Sequence, residues 1–211
     1  MKKLLAFLLA AIMLVSLVAC SKGGENKSDS MLGSYDKSSS VYTNDLLGVR
    51  FSMNKDWEIF DEKQIAELNG MVKDNLSLNE ELSDALEKSG SVQVFYAQRD
   101  GGLVTANIVI ENIGLVYGTL IDEKTYAENS VDQVAPALET MGMTDVETKI
   151  VTVNFAGEDH TAIDIHASLF GADFYETMVC VKTGNYIAGV TVGSYITDET
   201  DDVLSMFSAL D

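Results

Sequence analysis

Residues 155–195 read FAGEDHTAIDIHASLFGADFYETMVCVKTGNYIAGVTVGSY, and this stretch decides the fold. Runs of β-branched, aromatic and small residues are interrupted by Ala156-Gly157-Glu158, Phe170-Gly171-Ala172 and Thr183-Gly184-Asn185. With Val146–Phe155 in front, the runs Asp159–Leu169, Asp173–Lys182 and Tyr186–Tyr195 predict four strands. Connections this short join antiparallel neighbours, so the strands form a meander. The last two runs are apolar at consecutive positions, which predicts a sheet covered on both faces.

Working upstream, Ser91–Gln98 and Leu103–Ile113 flank Asp100-Gly101-Gly102 and read as a hairpin. Leu47, Val49, Phe51 and Met53 alternate as one face of an N-terminal strand, with a short strand at Val41-Tyr42 before it. Trp57, the only tryptophan, reads as a core plug. A helix from Glu62 carries the stripe Ile65, Leu68, Val72 and Leu76. A second helix opens on a capping box, Ser77 with Glu80, buries Leu78, Leu82 and Ala85, and stops at Ser89-Gly90. Asp122 caps a long helix from Glu123 to about Met141, with Pro136 predicting a kink or break near Ala135 and Gly142 ending it. Asp198 to Leu210 reads as a closing helix, with Val203, Phe207 and Leu210 inward. The fold class is therefore α+β. A mainly antiparallel sheet (the meander, the N-terminal strand and the hairpin) is covered by helices on both faces. Residues 41–211 are enough for one domain with a real core.

The N-terminus carries a different message. Lys2 and Lys3 precede an uncharged apolar run, Leu4–Val15, which is short of the roughly 20 residues a spanning helix needs. Leu17-Val18-Ala19-Cys20 follows, and these four residues resemble the lipobox of bacterial lipoproteins. That resemblance implies a signal peptide over 1–19, cleavage before Cys20 and a diacylglyceryl group on its thiol. Two acyl chains hold a protein stably at a bilayer surface where one does not. Residues 20–40 read as the lipidated cysteine and a Ser/Gly-rich tether, spanning roughly 25 Å as a flexible coil. No later segment approaches 18 consecutive apolar residues, so no second transmembrane segment is expected. The expected place is the extracytoplasmic face of the cell membrane, with an envelope protein or complex as the class of partner.

Composition narrows the field further. The formal charge is −19, and loss of Lys2 and Lys3 with the signal takes it to −21. A chain this acidic shows no basic patch for phosphates, so no nucleic-acid partner is expected. With Cys20 lipidated, Cys180 has no partner for a disulfide, and in Met178-Val179-Cys180-Val181 it reads as a buried hydrophobe.

The order of elements resembles the PsbP-like α/β/α sandwich. Leu47-Gly48-Val49-Arg50-Phe51 with Trp57, Ile65-Ala66-Glu67-Leu68-Asn69-Gly70, Leu86-Glu87-Lys88-Ser89-Gly90-Ser91, Val109-Ile110-Glu111-Asn112 and Met141-Gly142-Met143 resemble an uncharacterised lipoprotein family of Gram-positive bacteria. Asn54 departs from it, standing where proline is expected. The family implies no activity and no functional residues; relatives of the broader fold are mostly non-catalytic binding or accessory subunits.

No catalytic motif stands out: Gly-x-Ser-x-Gly, His-Glu-x-x-His, phosphate loops and Cys-x-x-Cys are absent. His160, Asp164, His166 and Ser168 share one face of a strand, but the two histidines stand roughly 20 Å apart and do not share a metal. Asp164 and His166 are the candidate site residues. The sequence points to a binding or accessory module rather than an enzyme, with no catalytic residues, no metal and no cofactor assigned. A hydrolase of the cell envelope and a divalent-cation-dependent surface module are the alternatives. The anchor is tested by fractionating cells: Cys20→Ala is expected to prevent lipid labelling of the chain, and labelled protein in that variant would refute the lipobox.

Overall fold

The computed structural model describes residues 31, 33–71 and 78–210. Cys20 with the expected signal and lipobox, the helix positions Val72 and Leu76, and Ser77 of the expected capping box lie outside the described residues. The strands are β1 (Ser34–Asp36), β2 (Val41–Asn44), β3 (Val49–Ser52), β4 (Glu58–Ile59), β5 (Ser91–Arg99), β6 (Val104–Asn112), β7 (Thr144–Phe155), β8 (Glu158–Leu169), β9 (Ala172–Thr183), β10 (Tyr186–Tyr195) and β11 (Phe207–Ala209). The helices are α1 (Glu62–Leu68), α2 (Leu78–Ser89), α3 (Gly114–Leu120), α4 (Glu123–Thr140) and α5 (Thr200–Leu204).

The chain is α+β, with two mainly antiparallel sheets. Seven strands in the order β4-β5-β6-β10-β9-β8-β7 make the main sheet, and β1-β2-β3-β11 make a smaller one. The meander β7–β10 and the hairpin β5–β6 form as the short turns require. They join edge to edge where β10 pairs with β6 from Tyr186/Asn112 to Ser194/Val104. The chain leaves β6, passes through α3 and α4, and enters β7 at the far edge. α4 therefore crosses the sheet and packs on β7, β8 and β9.

The two faces of the main sheet carry separate cores. On the first, Val104, Ile108, Ala188 and Val190 meet α1, α2, α5 and the small sheet through Ile65, Leu86, Val203 and Phe51. On the second, Ile163, Ile165, Phe174 and Cys180 meet Ala127, Val134 and Leu138 of α4. Helices do lie on both faces, and the first face gains a second sheet as well. The N-terminal strand belongs to that small sheet and not to the main one, a correction to the single sheet read from the sequence. Its reason is aromatic packing: Phe51 stacks on Phe207 at 4.4 Å and meets Trp57 and Phe95 edge-on at 5.3 and 5.8 Å.

The same packing corrects the C-terminus. The closing helix lasts one turn, Thr200–Leu204, and Phe207–Ala209 then extends to pair with Val49–Phe51. An extended Phe207 completes the edge of β3 and reaches the ring of Phe51; a helical one would leave that edge unpaired. Part of the stretch read as tether also folds. Ser34–Asp36 pairs with Val41–Thr43, and Gly33 sits at φ 65° where an added Cβ would lie 2.2 Å from Thr43 O. α1 is shorter than expected and opens on a capping box of its own, Asp61 with Gln64. α4 runs through Pro136 without the expected break. Its end is a Schellman turn: Met143 N–H donates to Leu138 O and Gly142 N–H to Glu139 O, with Gly142 at φ 91°.

Phe51 is fully buried at the junction of the two sheets. Phe51→Ala is expected to lower stability by about 3–5 kcal/mol, read as a lower denaturant midpoint at unchanged slope. A loss below about 1 kcal/mol would mean the small sheet is not docked through this ring.

Candidate functional site

The residues singled out in the sequence do not converge. Asp164 binds Lys149 Nζ at 3.0 Å across the β7–β8 pair. His166 stacks on Tyr175 at 4.9 Å, with Nε2 3.5 Å from Asp173. Both stand on the partly exposed stretch of the first face, each engaged with a strand neighbour. His160 is elsewhere, on Glu123. The β8–β9 ladder is registered from Leu169/Ala172 to Ala162/Val179. Beyond it, the Glu123 carboxylate enters between the strands. Lys182 N–H donates to Oε1 at 2.9 Å, Thr161 N–H to Oε2 at 3.3 Å, and His160 Nδ1 lies 2.9 Å from Oε1. This carboxylate replaces the missing strand partner and pins the start of α4 to the sheet edge. A cavity of about 300 Å³ lies beside His160, lined also by Leu47, Phe155 and Lys182. Its one hydroxyl side chain, Thr183, is engaged with Leu46 O. Among the described residues no three His, Cys, Asp or Glu side chains gather as a metal set.

A different group does converge. On the second face, Tyr96 lies opposite Asn107, Asn107 opposite Thr191, and Thr191 opposite Met178. The next row runs Gln98, Thr105, Gly193, Glu176 and Ile165, and the row after it pairs Tyr195 with Phe174. In these rows Tyr96, Thr105, Asn107, Glu176 and Tyr195 are all buried. Tyr96 Oη, Thr105 Oγ1, both amide atoms of Asn107, Glu176 Oε2 and Tyr195 Oη have no hydrogen-bond partner. Strands are about 4.8 Å apart, so Thr105 and Glu176 face one another across Gly193 at roughly 10 Å. Gly189 occupies the equivalent place between Val109 and Cys180. Gly189 and Gly193 thus flank Thr191 on this face of β10.

Several other polar side chains that the fold buries wholly or in part do find partners. Asn44 donates to Met31 O and Tyr42 Oη and accepts from Leu47 N–H. Asn69 makes three bonds, two of them to the backbone of Gln93 at the β5 bulge. Glu111, also half-buried on the second face, takes a 2.7 Å bond from Tyr126 Oη. Asn107 and Glu176 have nothing equivalent. Burial pushes the Glu176 carboxyl up to about 8, so at neutral pH it is mostly the acid. Burial raises Tyr195 and Tyr96 as well, Tyr96 to about 12, and the charges of Glu176 and Tyr96 raise Tyr195 further. The three hydroxyl and carboxyl groups are thus close enough to feel one another.

The sequence did contain the signal. Glu176 stands between Phe174 and Met178 on one face of a strand, an acid at a core position. Gly189 and Gly193 interrupt a strand, which marks a close approach by another group. Neither feature is a catalytic motif, so neither stands out beside the histidines.

No family model and no curated protein matches the chain. Among solved structures, a Bacteroides thetaiotaomicron protein is similar at TM-score 0.42 and 11% identity over 80% of this chain and 47% of its own. A Pseudomonas aeruginosa protein of unknown function, described as a putative regulator, gives 0.27 and 17% over 48% and 62%. LpqN, involved in cell envelope biogenesis of Mycobacterium tuberculosis, gives 0.33 and 10% over 76% and 82%. The chain spans about half the length of the first and under two thirds of the second. Likenesses this distant say nothing about the site.

The Glu176 assignment has a pH signature. Its folded-state value is raised above the ordinary 4.5, so the unfolded chain sheds this proton first and stability falls as pH rises from 4.5 to about 8. Glu176→Gln is expected to remove that component, gaining on the wild type steadily across the window in denaturant titrations. Parallel curves for the two proteins would show that Glu176 is ionised and solvated throughout.

Proposed function

We propose that this chain is an extracytoplasmic lipoprotein, anchored through Cys20, whose folded part binds a small polar ligand on the second face of its main sheet and has no catalytic role. One observation carries the binding reading: five buried side chains on four neighbouring strands present polar atoms that the protein leaves without partners. Leaving such groups unpaired costs about 1–3 kcal/mol each, a cost that a ligand's own donors and acceptors offset. Helices on both faces of an antiparallel sheet support the PsbP-like reading, and the accessory role of that fold accords with binding.

An envelope hydrolase is the second reading, because a carboxyl held protonated at neutral pH is what a general acid requires. Its usual companion is missing, however. The other half-buried acid on this face, Glu111, lies opposite Ile187, while Glu176 lies opposite Gly193. Six residues along the strand put the two rows roughly 20 Å apart, twice the separation at which paired carboxylates cooperate.

The test is ligand capture. Purified full-length protein in detergent is incubated with a small-molecule extract of the envelope, washed and denatured, and the released compounds are identified by mass spectrometry. A compound retained by the wild type and lost from Asn107→Leu is expected. No retained compound, with Asn107→Leu more stable than the wild type, would mean the polar row is a packing fault and not a site.

A further inference from the structure

We propose that the buried polar cluster around Glu176 takes a small organic cation, a protonated primary amine carrying hydroxyl or amide groups; this rests on the binding reading above and adds the class of ligand. The first ground is the lack of a counter-charge. Residues facing Glu176 from the neighbouring strands are Gly193 and Tyr195 on β10, Thr105 and Asn107 beyond them on β6, Tyr96 on β5 and Ile165 on β8. None is basic. Lys182 is the first cation along β9 on this face, roughly 20 Å away by strand rise, and its Nζ donates to Gly184 O. Arg99 points to the opposite face, where it pairs with Glu199. From α4 the titratable group is Tyr126, already bonded to Glu111, and Cys180 is a thiol pushed up to about 12 by burial.

The second ground is the mixture of groups. A buried carboxylate is stable only when a positive charge joins it, and here that charge has to come with the ligand. Tyr96 and Tyr195 add phenol rings, whose faces attract ammonium groups. Thr105 and Asn107 supply donors and acceptors together, which suits a ligand bearing hydroxyl or amide groups beside its amine. An anion would find no cation among these side chains. The formal charge of −19 works in the same direction, concentrating cations around the protein.

Binding an ammonium requires the acid to release its proton: the Glu176 O–H breaks, the proton passes to buffer, and the carboxylate accepts hydrogen bonds from the ammonium. Because the unliganded carboxyl ionises near 8, amine affinity should rise about tenfold per pH unit up to that value.

The experiment is calorimetry and thermal unfolding of full-length protein in detergent, with matched probes: glucosamine against glucose, and ethanolamine against ethylene glycol. The expected result is stabilisation by an amine and none by its neutral twin, with one proton released, measured in two buffers of different ionisation enthalpy. Glu176→Gln should weaken amine binding at least tenfold and abolish its pH slope. Binding of neutral twins as tightly as amines would overturn the cation and leave the binding reading standing. Amine binding unchanged in Glu176→Gln would place it on the acidic surface and overturn the site. Binding of neither probe class overturns the amine assignment, while the extract capture above decides separately whether the polar cluster binds anything.

Discussion

Everything in this fold answers to β10. The strand is hydrogen-bonded on both edges, to β6 and β9, and from Ile187 to Tyr195 every residue is buried. A strand in that position needs cover on two faces at once. The small sheet, α1, α2 and α5 cover one, and α4 covers the β7–β9 half of the other. Because the hairpin and the meander meet at β10, it is also where residues far apart in sequence become neighbours. Thr105 and Glu176 lie across the same glycine only because β6 and β9 flank the same strand.

The burial of polar groups divides into two kinds. Asn44, Asn69, Glu111 and Glu123 are structural: each fills bonds that a turn, a bulge, a tyrosine or a split ladder leaves open. Asn107, Thr105, Tyr96, Tyr195 and Glu176 do no such service, since each sits in a regular strand whose backbone bonds are already made. Side chains of this type reduce stability where they are, which is the ground of the binding proposal. Gly189 and Gly193 lie in the same rows.

The elements were legible to the extent that they are local. The meander, the hairpin, the Asp122 cap and the Gly142 stop follow from turn residues and periodicity within a few positions. The errors share a cause as well. Phe207 was read as the inward face of a helix because Val203 and Phe207 are four apart, but the ring of Phe51 and the open edge of β3 draw it into a strand. Ser34–Asp36 has too little apolar character to announce a strand, and it becomes one because β2 offers an edge. At the site, the histidines are chemically conspicuous. Glu176 was inconspicuous among many acids until its strand partners were known.

By itself the sequence determined the alternation of strands and helices, the antiparallel meander and the two-sided burial of its last strands, because period, turn length and apolar content act over neighbouring residues. Tertiary structure alone decided that β3 belongs to a second sheet, that β10 joins the hairpin to the meander, and that an acid, two phenols, a hydroxyl and a carboxamide share one face of the main sheet. Those outcomes depend on which strands meet and in what register, and that is set by long-range packing rather than by any window of the chain.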